Sequence, residues 1–206
     1  MDNLTPRERR SERTRQTILR AALELIIEKG LDKLSLREIA RRADYSPAGL
    51  YEYFGSKEEI IETLAWDAND RFFAHLNRVP KSLPVEEYLV ELGLAYVEFA
   101  HLHPEHFMLM FSHFQALPMV DLNEYAPDSD SNAYGLLMDA VQRGIEEGLF
   151  QPRPDYGKVE MSYSLWSLVH GLATLQATHL RRLTWDFATA DRHAIRTFID
   201  GLSRKD

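Results

Sequence analysis

The chain contains no cysteine. That absence excludes a disulfide framework, a thiolate nucleophile, a cysteine redox sensor and Cys-ligated zinc, so any metal site has to draw on His, Asp and Glu. Long apolar runs are missing too. No stretch reaches 18 uninterrupted apolar residues, and Met1 to Arg15 is charged with no apolar core, so neither a membrane span nor a secretion signal is expected. The expected location is the cytoplasm. Sustained period-two alternation of β-branched residues is absent, which leaves an all-α chain as the expected fold class. Glycine-rich phosphate loops, nucleophile elbows and HExxH are lacking, so no enzyme and no cofactor are expected.

What is present is enough to build a core: 206 residues, 45% of them hydrophobic and 27% charged. The net charge of −8 conceals an uneven distribution. Residues 1–57 hold 12 of the 24 Lys and Arg against nine acids, a surplus of +3, which leaves −11 for the remainder. A basic first quarter suits a phosphate-facing segment, and the acidic remainder is kept from the same polyanion by repulsion.

Apolar periodicity predicts helices nearly throughout. Ile18, Ala21, Ala22, Leu25 and Ile26 form one stripe on a helix from near Ser11 to Gly30. Ser35 and Glu38 have capping-box spacing before a two-turn helix carrying Leu36, Ile39, Ala40 and Ala43. Ser46 with Pro47 opens a third short helix through Phe54, and Ser56 with Glu59 starts a long one, Lys57 to about Arg78. Ile60, Ile61, Leu64, Ala65, Ala68, Phe72 and Leu76 are its expected buried side. Further helices are predicted over Val85 to Leu102, Pro104 to about Phe114, Asn132 to about Glu147, Tyr156 to Arg182 and Ala188 to Leu202. A Pro-, Asp- and Ser-rich connection, 117–131, separates the middle pair.

Two short helices joined by a tight turn and leaning on a longer first helix describe a helix-turn-helix. The second would read DNA, with Ser46, Pro47, Ala48, Gly49, Tyr51 and Tyr53 toward the major groove and Leu50 and Phe54 inward. Gly49 inside a helix costs about 1 kcal/mol relative to Ala, which close approach to DNA would explain. Lys57 opposes the dipole of its own helix, and a phosphate partner would explain it.

Residues 35–60, SLREIARRADYSPAGLYEYFGSKEEI, resemble the DNA-binding domain of the TetR family of transcriptional repressors. Ser46, Ala48, Gly49, Leu50, Tyr51, Tyr53, Phe54, Ser56, Lys57 and Glu58 carry the pattern. The resemblance implies that Arg37, Ala48, Gly49 and Tyr51 meet bases or sugars while Ser35, Ser46, Tyr53 and Lys57 hold phosphates; Arg13 and Arg15 would add arm contacts. Asp44-Tyr45 departs from the family's usual glycine and small aliphatic, which makes Tyr45 either an extra contact or a lid on the core.

On that basis residues 1–56 are expected to be the helix-turn-helix domain, with a basic arm over 1–12, and residues 57–206 a larger helical bundle for effector binding and dimerisation. The resemblance implies a homodimeric repressor on a palindromic double-stranded DNA operator, released by a small-molecule effector through the Lys57 to Arg78 helix. Candidate effector-binding residues are Tyr96, Phe99, His103, Phe107, Phe111, Trp166 and His170; Trp166, His170 and Gly171 also match a motif in a subset of the family's C-terminal domains. Thr174, Gln176, Leu168, Leu172, Leu175, Leu180, Ile195 and Ile199 are expected along a two-fold four-helix interface. A metal-binding or enzymatic bundle with an incidental helix-turn-helix is the alternative, because His101, His103, His106 and His113 crowd one region and Glu98 precedes His101 at Glu-x-x-His spacing. That spacing occurs once where a di-iron site needs two, so a polar helix end before Pro104, with no metal, is the expected reading. Asp128, Asp130 and Asn132 begin like an EF-hand loop but place Ala133 where glycine is required, so no metal is expected there.

Overall fold

A computed structural model describes residues 5–112 and 132–203 of the chain. The described residues are helical with no strand, only an isolated bridge between Arg153 and Tyr156. The helices are α1 (Pro6–Lys29), α2 (Leu36–Arg42), α3 (Pro47–Leu50), α4 (Lys57–Leu76), α5 (Val85–Leu102), α6 (Pro104–Ser112), α7 (Ala133–Glu146), α8 (Lys158–Ala177) and α9 (Phe187–Ser203). They fall into two compact units, residues 5–68 with 108–112 and residues 69–107 with 132–203.

Helix α1 begins earlier than apolar periodicity predicts. Thr5 and Glu8 form a reciprocal capping box around Pro6, so Arg7, Arg9 and Arg10 of the expected arm are helical. Gly30 ends the helix at φ +83°. At α2 the box is half made: Ser35 accepts from the Glu38 amide, while the Glu38 carboxylate pairs with Lys29 instead of reaching back. Ser56 likewise accepts from the Glu59 amide, but Glu59 takes the Gly55 amide, one residue before the expected partner. Helix α3 is a single turn; Tyr51 to Tyr53 form a turn rather than its continuation.

The first unit's core joins Ile18, Ala22 and Leu25 of α1 to Ile39 and Ala40 of α2, Leu50 of α3, Phe54, and Ile60, Ile61 and Leu64 of α4. In the second unit α5 packs against α7, α8 and α9. Gly93 permits this: a Cβ there would lie 2.9 Å from Ile195 Cδ1 and 3.1 Å from Val169 Cγ1. Ile195 and Ile199 are therefore core residues, 0% exposed, and not interface residues as the stripe on α9 suggests. Gln176 is also engaged internally, its amide donating to both oxygens of buried Asp191. Helix α8 is shorter than expected at both ends, and residues 113–131, with His113, Asp128 and Asp130, lie outside the described residues. Asn132 caps α7, accepting from the Gly135 amide.

Candidate functional site

In the first unit, the turn between α2 and α3 decides where the reading helix points. Asp44 takes the left-handed conformation, φ +60°, which its short polar side chain tolerates. The Tyr45 amide donates back to the Ala40 carbonyl, closing the turn. Ser46 then caps α3 by accepting from the Gly49 amide at 3.0 Å. Leu50 and Phe54 point into the core at 0% and 1% exposure, so the other side of this segment faces outward. Arg37, Ser46, Pro47, Ala48 and Tyr51 are exposed there, Tyr51 at 56%. Ser35, Gly49, Tyr53 and Lys57 are half-buried beside them.

Gly49 has a packing reason, because a Cβ would lie 3.2 Å from Ser46 Oγ, the atom that caps the helix. Lys57 Nζ, half-buried, stands 4.0 Å from exposed Glu58 Oε1, a loose pair that leaves its charge available to an anion. Arg41, which sequence reasoning passed over, lines a shallow cleft with Arg37, Tyr45, Ser46 and Pro47. Its spacing of four from Arg37 on one helix face was the signal.

Arg15 does not reach outward as an arm residue. Its guanidinium lies 4.3 Å from the centroid of Phe54 and donates to the Tyr53 carbonyl at 3.3 Å and Thr63 Oγ1 at 3.4 Å. Tyr45 is a lid in part: its hydroxyl meets buried Thr14 and its ring stands edge-on to Tyr53, while 38% of it stays exposed.

In the second unit the structure gathers Tyr96 and Phe107 with Trp166 and His170 of α8. Phe107 and Trp166 lie 5.6 Å and 6.1 Å from the His170 ring, and Tyr96 stands 5.9 Å from Phe107. Trp166 Nε1–H donates to the Tyr96 oxygen at 3.3 Å, and the Tyr96 hydroxyl lies 2.9 Å from His170 Nδ1. Since indole N–H only donates, the assignment that places every proton has Tyr96 O–H donating to Nδ1, with the imidazole proton on Nε2. Burial pushes the Tyr96 phenol above its ordinary range and holds His170 below its own, so both stay neutral near pH 7.

Two further aromatic side chains adjoin this cluster. Phe72 stands 4.9 Å from Tyr96, and Tyr134 stands 5.7 Å from Trp166. Phe99 packs edge-on against Phe72 at 5.0 Å rather than against His170. His103 is exposed and stacks near Phe99 and His106, away from the Tyr96–His170 hydrogen bond. Phe111 is half-buried on α6 in the first unit. Glu98 bonds His75 at 3.2 Å, so the Glu98–His101 spacing forms no pair of ligands. A separate cleft of about 790 Å³ runs past α5 and the start of α9, with Glu91, Glu98, Arg192 and Trp185 on its walls.

Comparison with known proteins places this geometry. Residues 18–64 match the model of the bacterial regulatory proteins of the tetR family, and residues 89–198 match that of the tetracyclin repressor-like C-terminal domain. The HTH-type transcriptional repressor KstR2 of Mycobacterium tuberculosis is 29% identical over 143 residues, covering 68% of this chain and 71% of that protein. The HTH-type transcriptional regulator UidR of Escherichia coli is 31% identical over 91 residues, 44% of this chain and 45% of its own. A Rhodococcus sp. RHA1 protein of unknown function superposes with a TM-score of 0.74 at 24% identity, over 93% of this chain and 96% of that one. The structure of the M. tuberculosis ketosteroid transcriptional regulator KstR2 gives 0.65 at 22% identity, over 93% and 95%. The two family models together span the exposed reading segment and the aromatic cluster, and the chain belongs to the TetR family of bacterial transcriptional regulators.

Proposed function

We propose that the protein is a ligand-responsive repressor that binds a palindromic operator as a homodimer and is released by a small-molecule inducer. The observation that carries this reading is the outward face of the α2–α3 segment, where Arg37, Arg41, Ser46, Pro47, Ala48 and Tyr51 stand together over a buried Leu50 and Phe54. Residues 1–56 serve DNA binding and residues 57–206 effector binding and dimerisation. Arg37, Ala48, Gly49 and Tyr51 meet base edges or sugars. Ser35, Ser46, Tyr53 and Lys57 hold phosphates, and Pro47 sets the start of the reading helix. Such a regulator works in the cytoplasm, beside the DNA.

The effector site is assigned to Tyr96, Phe107, Trp166 and His170, with Phe99 and His103 as the outer candidates. Aromatic walls with one neutral Tyr–His hydrogen bond favour an uncharged, largely apolar molecule. The ketosteroid regulator among its relatives is in keeping with such a ligand. Effector and DNA affinities are then reciprocally coupled, each lowering the other by the same factor. Dimerisation through half-buried Leu168, Leu172, Phe198 and Leu202 and exposed Leu175 of α8 and α9 sets two reading helices about 34–36 Å apart.

Selection from a random duplex pool at about 0.15 M salt, followed by salt titration of the winners, tests the reading. An enriched inverted repeat with a steep salt slope is the expected outcome. Weak binding with no enriched sequence would reject it and return the alternative, a metal-binding or enzymatic bundle.

A further inference from the structure

The end of α5 and the first turn of α6 bring three metal-ligating side chains together. His103 caps α5, its amide donating to the Phe99 carbonyl at 2.8 Å, and its carbonyl accepts from the Phe107 amide at 3.0 Å to open α6. Pro104 follows with its φ already fixed. The backbone of the joint is thereby held from both sides, and Glu105 and His106 rise from the same turn. Among the described residues, His103, Glu105 and His106 are the one group of three whose ligand atoms all lie within 4.8 Å of one another.

A second observation singles out His106. Its Nδ1 is shielded from solvent, and the group it meets is the Glu105 carboxylate at 3.4 Å, too long for a well-formed hydrogen bond. A buried imidazole nitrogen with so loose a partner has its lost hydration only partly compensated. The neighbouring rings are His103, centroid 5.8 Å from His106, and Phe99, centroid 5.1 Å from His103, so the pair of imidazoles has an aromatic backing.

We propose that His103, Glu105 and His106 form a binding site for a borderline divalent cation of the Zn²⁺, Co²⁺ or Ni²⁺ class, its remaining positions filled by water. Two imidazoles and one carboxylate suit that class, whereas Ca²⁺ and Mg²⁺ require more oxygen ligands. Bond lengths of 2.0–2.2 Å set the donors of a tetrahedral site roughly 3.3 Å apart. His103 is exposed and Glu105 half-buried, so both side chains have room to turn toward His106 and close the remaining gap. Two features oppose the cation: the positive end of α6, and the Arg71 guanidinium, whose charge acts on His106. The Glu105 carboxylate offsets them. The site is therefore expected to be of moderate affinity; it shares His103 with the outer part of the effector assignment and uses neither Tyr96 nor His170.

The test is titration of the tag-free full-length protein, stripped with chelator, with Co²⁺ followed by visible absorption and with Zn²⁺ by calorimetry. One equivalent of Co²⁺ should develop ligand-field bands that Zn²⁺ abolishes. His103→Ala, at an exposed position, should keep the circular dichroism of the parent and lose at least ten-fold in affinity, and Glu105→Gln should also weaken binding. Absence of Co²⁺ bands at submillimolar metal would overturn the proposal, as would equal affinity in the parent and His103→Ala, which would place the ion elsewhere. Operator binding measured on the same samples keeps this result separate from the proposed regulatory function.

Discussion

Thr14 Oγ1 on α1 lies 3.0 Å from the hydroxyl of Tyr45, the residue that closes the turn ahead of the reading helix. Thr14 is 7% exposed, so its hydroxyl depends on this partner for much of its hydrogen bonding. Tyr45→Phe should cost about 1 kcal/mol in urea unfolding, the usual net worth of such a bond. Thr14→Val should cost a similar amount. The double variant should cost little more than either alone, because both singles break one interaction. Strictly additive losses would show that the hydroxyls do not act on each other.

Arg15 ties three segments through Phe54, the Tyr53 carbonyl and Thr63, and it sits in the unit that carries the reading helix. Arg15→Ala should lower stability by about 1–3 kcal/mol, from a cation–π contact and charged hydrogen bonds only partly screened by solvent. Arg15→Lys should recover less than half of that, since an ammonium cannot both stack on the ring and fork to two acceptors. Chemical denaturation of the two variants checks the order. An Arg15→Ala protein with parental stability and weakened DNA binding would return Arg15 to the role of an arm contact.

Lys57 and Tyr51 separate charge from sequence reading. Lys57→Ala should weaken binding to every duplex about equally and reduce the salt slope of the dimer by about two, one contact per subunit. Tyr51→Ala should cost about 1–3 kcal/mol on the selected operator and little on random duplex. Tyr51 is exposed, so folding should be untouched. Fluorescence anisotropy over a salt series reads both, and unchanged affinity in both variants would withdraw the contact assignment.

How much of this was legible in the sequence depends on whether a residue's partner is local. The buried stripe of α4, from Ile60 to Leu76, is buried as read, and α5 runs from Val85 to Leu102 as its periodicity indicates. Ser46 caps α3 as its place before Pro47 suggests. Failures came where a local pattern had a distant competitor. Glu38 was spaced for its own cap but is captured by Lys29. The start of α1 was missed because Arg7 to Arg13 carry no apolar stripe, and only Thr5 and Glu8 mark the end. Ile195 and Ile199 look equally suited to core and interface on a helix wheel. The approach allowed by Gly93, on another helix, decides for the core. The Tyr96–Trp166–His170 chain joins residues 70 and 74 positions apart, beyond any periodicity.

Burial of His170 sets a pH dependence whose sign follows from linkage. Its pKa in the folded protein lies below 6.5, with desolvation the cause, so the unfolded chain binds the extra proton first. The contribution is fully present above pH 6.5 and is lost as pH falls toward the depressed value. His106 has the same sign, again mainly through burial. Stability measured from pH 8 to pH 5 should therefore fall on the acid side, and His170→Gln should flatten part of that fall while lowering stability at pH 8 through loss of the Tyr96 bond. An acid limb identical in parent and variant would show that His170 does not titrate in this range.

The contact between α5 and its neighbours gives the sharpest packing test. A Cβ at Gly93 meets two atoms of different freedom: Ile195 Cδ1 at 2.9 Å is the far end of a flexible chain, whereas Val169 Cγ1 at 3.1 Å is held close to its backbone. Ala has the better helix propensity by about 1 kcal/mol, so a benign site would be stabilised by Gly93→Ala. Here the clash should win, for a net loss of about 1–3 kcal/mol in thermal or urea unfolding. Val169→Ala in the Gly93→Ala background should recover part of the loss, because it removes the rigid obstacle, although Val169→Ala alone is destabilising. Gly201→Ala, where a Cβ meets nothing within 4 Å, should be neutral or stabilising in the same assay. If Gly93→Ala and Gly201→Ala behave alike, the close approach of α5 to α8 and α9 is not what selects glycine at residue 93.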